Sequence, residues 1–136
     1  MSEIFHVLRS DQFNKKFLDE LYAITNNLRK ISRTKRGADY LRKLMSEKRA
    51  ILYFTQPSTR TFLYFLNACQ ILGIQTSEIR DSNTSSEMKG ETAEDAIRTF
   101  SSYVDMIIMR SPKAGLAQSI ADLLDKTPRR VPVING

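Results

Sequence analysis

The chain has 136 residues, 41% of them hydrophobic, and 21 Lys and Arg against 15 Asp and Glu give it a formal charge of +6. That length suits one domain with its own core. A single cysteine (Cys69) excludes a disulfide framework and a thiolate metal cluster, and a single histidine (His6) argues against a His-based zinc site or a Ser-His-Asp triad within the chain.

No apolar stretch approaches the ~20 residues of a membrane-spanning helix, and the first residues lack an apolar signal core. The expectation is a cytoplasmic protein with no membrane contact. Arg29, Lys30, Arg33, Lys35, Arg36, Arg42, Lys43, Lys48 and Arg49 crowd the first third. Acidic residues interrupt the later part, and no aromatics alternate with these bases. Solvated helix faces account for them better than a nucleic-acid surface.

In chain order, Ser10 or Asp11 caps a first helix starting near Gln12. Phe13, Phe17, Leu21, Ile24 and Leu28 recur at three and four residues and form one apolar stripe, expected to be buried. Residues 32–37 read as a polar linker, and a second helix is expected over 38–45, burying Tyr40 or Leu41, Leu44 and Met45. His6 belongs to this covering layer as a surface or hydrogen-bonded residue. Residues 1–48 thus form a helical covering segment and 49–136 an alternating core.

The core opens with RAILYFTQPSTRT, residues 49–61. The apolar run 50–54 predicts a strand, 55–57 a tight loop and 58–72 a helix capped by Ser58 or Thr59. Gly73 ends this helix in a left-handed conformation. Cys69 lies in its apolar run and reads as a buried thiol. A second strand over 74–79 is interrupted by Gln75 and Ser77, which fits an edge. A polar loop fills 80–90, and Gly90 permits a sharp turn into a helix over 91–103 that buries Ala93, Ile97 and Phe100. A buried strand covers 106–109. Pro112 starts a helix to Leu124, through Leu116, Ile120 and Leu123, and the last strand spans 131–134. Strands alternating with helices predict an α/β fold: a parallel sheet of about four strands with helices on both faces and the N-terminal helix alongside.

Ligands of such sheets sit beyond the carboxyl ends of the strands. Ser58, Thr59, Arg60 and Thr61 lie at one such end, where the free N–H groups of a helix start form an anion seat. Arg110 follows the buried strand and suits bidentate capture of phosphate or carboxylate. Ser85 and Lys89 supply a hydroxyl and a cation in the polar loop. The P-loop and dinucleotide patterns are absent, so no nucleotide cofactor is indicated. No nucleophile stands beside a base. The pocket suits attack on a small phosphate-bearing electrophile with phosphate as leaving group.

FTQPSTRT (54–61), SSEMKGET (85–92) and DMIIMR (105–110), in this order, resemble the carbamoyl-phosphate-binding N-terminal half of aspartate carbamoyltransferase. VPVING at 131–136 resembles the strand that leads into that family's Gly-rich and His-Pro-x-Gln stretch. The first motif also admits ornithine carbamoyltransferase; the serine–lysine loop favours the aspartate enzyme. A third alternative is a noncatalytic oligomerisation or regulatory domain on the same fold.

The resemblance implies that Ser58, Thr59, Arg60 and Thr61 hold the phosphate of carbamoyl phosphate, while Thr61 and Arg110 polarise its carbonyl. It implies that Ser85 and Lys89 serve the neighbouring subunit's site in a homotrimer, with no metal or cofactor. Arg60, Thr61, Lys89 and Arg110 are the implied catalytic groups. The transfer to the L-aspartate amine gives N-carbamoyl-L-aspartate and phosphate, a step of pyrimidine biosynthesis. An aspartate-binding second domain is not among these 136 residues, so the expectation is the N-terminal half of a longer parent, inactive alone. Regulatory or dihydroorotase partners are not legible in the residues. Four positions depart from the family pattern: Gln56 stands for a glutamate, Phe62 for an arginine, and Tyr64 and Leu66 for the serine and glutamate of a Ser-Phe-Glu segment.

Overall fold

The structure, a computed structural model, describes residues 3–80, 90 and 92–136. Four strands form one parallel sheet: β1 (Arg49–Phe54), β2 (Gln75–Ile79), β3 (Met106–Arg110) and β4 (Val133–Asn135), in the order β2-β1-β3-β4. The helices are α1 (Lys15–Ser32), α2 (Lys35–Leu44), α3 (Thr59–Leu72), α4 (Ala93–Phe100) and α5 (Leu116–Asp125). The expected α/β architecture is therefore present, with β2 at the edge.

Strand alternation divides the core into two layers. Ile51, Tyr53, Ile107, Met109 and Val133 point to one face and pack with Ile97 of α4 and Ile120 and Leu124 of α5. Ala50, Leu52, Phe54 and Ile108 point to the other and pack with Phe62 and Cys69 of α3. β1 leaves through α3 toward β2, whereas β3 leaves through α5 toward β4. The connections diverge between β1 and β3, and a crevice at such a divergence is where an open α/β sheet takes its ligand.

Several boundaries differ from expectation, each through capping chemistry. The first helix starts at Lys15, because the Asn14 side chain accepts the Phe17 amide; Ser10–Gln12 is a separate 3-10 turn. The second starts at Lys35, because the Thr34 hydroxyl accepts the Gly37 amide. Most of the expected linker is thus helical. Thr92 caps α4 through the Asp95 amide, so Ala93 opens that helix and it ends at Phe100. Pro112 does not start α5; Gly115, at φ 77°, precedes it. Gly73 ends α3 at φ 79° as expected. A Cβ there would also lie 1.9 Å from the Arg42 carbonyl oxygen, so glycine is required twice over.

The larger correction concerns α1. None of its residues is buried, and Ile24 of the apolar stripe is 50% exposed. α1 packs chiefly along α2, and Thr25, Leu28 and Ser32 face Ala68 and Leu72 of α3 across an open groove, so its stripe is only partly covered. On α2 it is Leu41 that is buried, at 1% exposure, while Tyr40 and Leu44 stay in solvent. Among the described residues, no helix is long and apolar enough to cross a membrane.

His6 is buried and hydrogen-bonded, which fixes the N-terminal segment beside β4. Its Nδ1 accepts the Val133 amide at 3.0 Å, so Nε2 carries the proton that it donates to Asp125 Oδ1 at 3.2 Å. Val7 donates to the Val133 carbonyl and Asn135 donates to the Val7 carbonyl, both at 2.8 Å, pairing the segment in parallel with β4. Cys69 is buried, and burial pushes its thiol pKa up.

Candidate anion site at the divergence of β1 and β3

The site begins with the run of β1 into α3. Phe54 is the last residue of β1 and lies opposite Arg110 across the β1–β3 ladder. The chain then keeps hold of β3 for two residues more: Thr55 and Gln56 both donate their amides to the Arg110 carbonyl, at 3.0 and 3.4 Å. Pro57 follows, and Ser58 takes the N-cap position of α3 in extended geometry, φ −161°.

This helix start is left electrostatically open. The side chains of Asn14, Thr34 and Thr92 cap α1, α2 and α4, whereas Ser58 makes no side-chain cap bond. Ser58 is the N-cap by position, then, but its hydroxyl does not serve as one. The first turn contains no acidic residue, and it carries Arg60. A cation at the positive end of a helix dipole is unfavourable by a few tenths of a kcal/mol unless an anion joins it. Ser58, Thr59 and Thr61 bring three hydroxyls to this helix start, and the first amides of α3 have no partner within the helix.

Arg110 supplies a second unsatisfied donor. Its side chain is partly buried, and its Nε is a buried nitrogen with no hydrogen-bond partner among the described residues. A buried donor left unpaired costs about 1–3 kcal/mol, so such a group is expected to have a use. A separate cleft of about 340 Å³ lies on the α5 side of β3, lined by Met109, Ser111, Lys113 and Leu116 with Leu8 and Asn135; Arg110 does not line it. Lys113 at its rim is paired with Glu94 of α4 at 3.3 Å.

Of the residues singled out in the sequence, Ser58, Thr59, Arg60, Thr61 and Arg110 come to the carboxyl edge of two adjacent strands. Ser85 and Lys89 lie outside the described residues. Gly90 has φ 86°, a conformation that suits glycine alone. One residue passed over in the sequence also reaches this edge. Arg80, next after β2, places its guanidinium carbon 4.0 Å from the centre of the Phe62 ring. Its position directly after a strand was the available signal.

Comparison with known proteins gives the family. Residues 6–136 match the family described as aspartate/ornithine carbamoyltransferase, carbamoyl-P binding domain. The chain is 34% identical over 131 residues to the aspartate carbamoyltransferase catalytic subunit of Methanosarcina barkeri, covering 96% of this chain and 40% of that protein. It superposes on the catalytic subunit of M. jannaschii aspartate transcarbamoylase with a TM-score of 0.77 at 31% identity, covering 98% of this chain and 42% of the other. Aspartate transcarbamoylase from Trypanosoma cruzi, solved with carbamoyl phosphate and aspartate, gives a TM-score of 0.76 at 27% identity, covering 96% and 37%. The chain thus spans about 40% of the length of the curated relatives it matches. The family match over residues 6–136 on this α/β fold shows that the chain belongs to the carbamoyl-phosphate-binding domain family of the aspartate and ornithine carbamoyltransferases.

Proposed function

We propose that this domain seats carbamoyl phosphate for transfer of its carbamoyl group to the amine of L-aspartate, giving N-carbamoyl-L-aspartate and phosphate. The observation that carries the reading is the pairing of an uncapped, acid-free start of α3 with the unpartnered Nε of Arg110 across the divergence of β1 and β3. Together they form an arrangement of donors with no acceptor of its own.

In this reading the amides and hydroxyls of Ser58, Thr59 and Thr61, with the Arg60 guanidinium, hold the phosphate group. The seat favours the dianion over its neutral surroundings, and it stabilises the charge that builds on phosphate as it leaves. Arg110 and the Thr61 hydroxyl donate to the carbamoyl oxygen and polarise the carbonyl carbon. The neutral amine attacks that carbon, a tetrahedral intermediate forms, the C–O bond breaks with its electron pair going to the departing phosphate, and the proton lost by the amine passes to that phosphate. Positioning and charge stabilisation carry the reaction without a nucleophilic side chain.

The aspartate pocket is assigned to polypeptide that the longer relatives carry beyond the matched 40%. Ser85 and Lys89 are assigned to the site of a neighbouring copy in a homotrimer, in the cytoplasm, where pyrimidine biosynthesis draws on the product. The relatives' names and the T. cruzi complex with carbamoyl phosphate and aspartate support the substrate pair.

Calorimetric titration of the 136-residue chain with carbamoyl phosphate, with phosphate as control, tests the seat. Uptake of carbamoyl phosphate without turnover of added aspartate is the expected result. No heat from either anion would sink the reading, and appreciable carbamoyl-aspartate formation would overturn the assignment of the aspartate pocket to further polypeptide.

A further inference from the structure

Two arginines, not one, leave the carboxyl edge of the sheet beside α3. Ile79 packs in the α4–α5 layer, so the next residue, Arg80, turns to the opposite face, that of α3. Arg110 obeys the same alternation, because Met109 packs in the α4–α5 layer. Arg110 lies opposite Phe54 on one side. Arg80 stands one residue beyond the Tyr53–Ile79 pair on the other, in the same row. Phe54 is thus bracketed by arginines at the ends of β2 and β3.

The Arg80 guanidinium lies over one aromatic ring. Its carbon sits 4.0 Å from the Phe62 ring centre, and Phe62 meets Phe54 edge to face with centroids 5.3 Å apart. Phe62 is 2% exposed, so the ring is a fixed platform. It lies one helical turn after Ser58, and its amide closes the first bond of α3 to the Ser58 carbonyl at 3.4 Å. Among the described residues Arg80 has no carboxylate partner. Phe62, one of the departures from the family pattern, receives a guanidinium from the end of β2.

We propose that Arg80 is a positioning residue of the anion seat, acting through Phe62. Stacked on the ring, it fixes the first turn of α3 and raises the positive potential around the amides of residues 59–61. Its charge does this without touching the anion, so a lysine can replace it in part, whereas an uncharged residue of similar length cannot. This inference rests on the anion seat proposed above.

The test is a titration of the 136-residue chain with inorganic phosphate at low and high salt, read by the amide resonances of Thr59, Arg60 and Thr61. Arg80→Met is expected to weaken phosphate binding roughly threefold to tenfold and to flatten its salt dependence, with Arg80→Lys recovering part of the loss. Phe62→Leu keeps an apolar side chain in the core and removes the platform; it should weaken binding similarly, and the double variant should be no worse than either single one. If wild type responds and Arg80→Met matches it in affinity and salt dependence, or if the two substitutions add fully, the inference fails while the seat stands. If no wild-type amide of residues 59–61 responds to phosphate, the seat itself fails and the role of Arg80 with it.

Discussion

Thr55 donates its amide to the Arg110 carbonyl at 3.0 Å, so the loop that enters α3 is tied to the end of β3 by the backbone of the same residue whose side chain faces the site. The tie separates two roles of Arg110. Its backbone positions the loop whatever side chain it bears, and its side chain carries the unpartnered Nε. Arg110→Met should therefore leave the fold intact and raise the stability of the unliganded chain by roughly 1 kcal/mol, since a buried donor is removed and the apolar stem is kept. The same change should weaken anion binding about tenfold to a hundredfold. Urea denaturation and phosphate titration of one preparation measure both, and a loss of stability would show that Nε is satisfied in solution.

A similar trade is expected at Ser58. Aspartate is a strong N-cap residue, and its charge complements the dipole of α3. Ser58→Asp should raise stability by about 0.5–1 kcal/mol, the usual worth of a cap. It should also cost most of the phosphate affinity, because a fixed carboxylate would occupy the seat. Parallel gains in stability and affinity would contradict an anion site at this helix start.

The sheet and the site were legible in the sequence for different reasons. Ala50, Ile51, Leu52, Tyr53 and Phe54 form a continuous apolar run because β1 is buried on both faces, and no other reading of five such residues fits between turn signals. Residues 58–61 stood out because hydroxyls and an arginine at a helix start exceed what capping needs. Capping also misled. A hydroxyl or carboxylate before an apolar run marks several candidate starts, and only the geometry selects Asn14 over Asp11 and Thr34 over a later residue. The burial of α1 could not be read at all: a stripe at helical spacing states that a face can be buried, not that a surface is there to bury it. Arg80 escaped notice because its partner, Phe62, is 18 positions away and the stacking depends on strand register.

The contrast between β1 and α1 is measurable. Leu52 is fully buried between the sheet and α3, while Ile24 is half exposed on α1. Leu52→Ala should cost about 2–5 kcal/mol, through lost burial and the cavity it leaves. Ile24→Ala should change stability by no more than about 0.5 kcal/mol, in the range of surface substitutions. A large loss at Ile24 in the isolated chain would mean that α1 is covered in solution, for which sedimentation would then give the stoichiometry.

Acid should act on the N-terminal segment through Asp125. Hydrogen bonds from His6 first, and from Arg130 second, hold its carboxyl below the usual carboxylate range. The distances are 3.2 Å from His6 Nε2 and 3.0 Å from Arg130 Nε. Arg130 also lies over the Phe5 ring at 4.1 Å, so the three groups clamp the segment beside β4. A carboxyl whose folded pKa is depressed favours the folded chain when ionised. Its contribution is complete above the unfolded value of about 3.9 and is lost as pH falls through the lower folded value. Asp125→Asn should accordingly be less stable than wild type at pH 7, with the difference shrinking below about pH 4. Because Asp125 is solvent-exposed, added salt should reduce the difference at neutral pH as well. Urea midpoints of the two proteins between pH 2 and pH 7, a span that brackets the ordinary carboxylate range, test this; a constant offset across that range would remove Asp125 from the acid response.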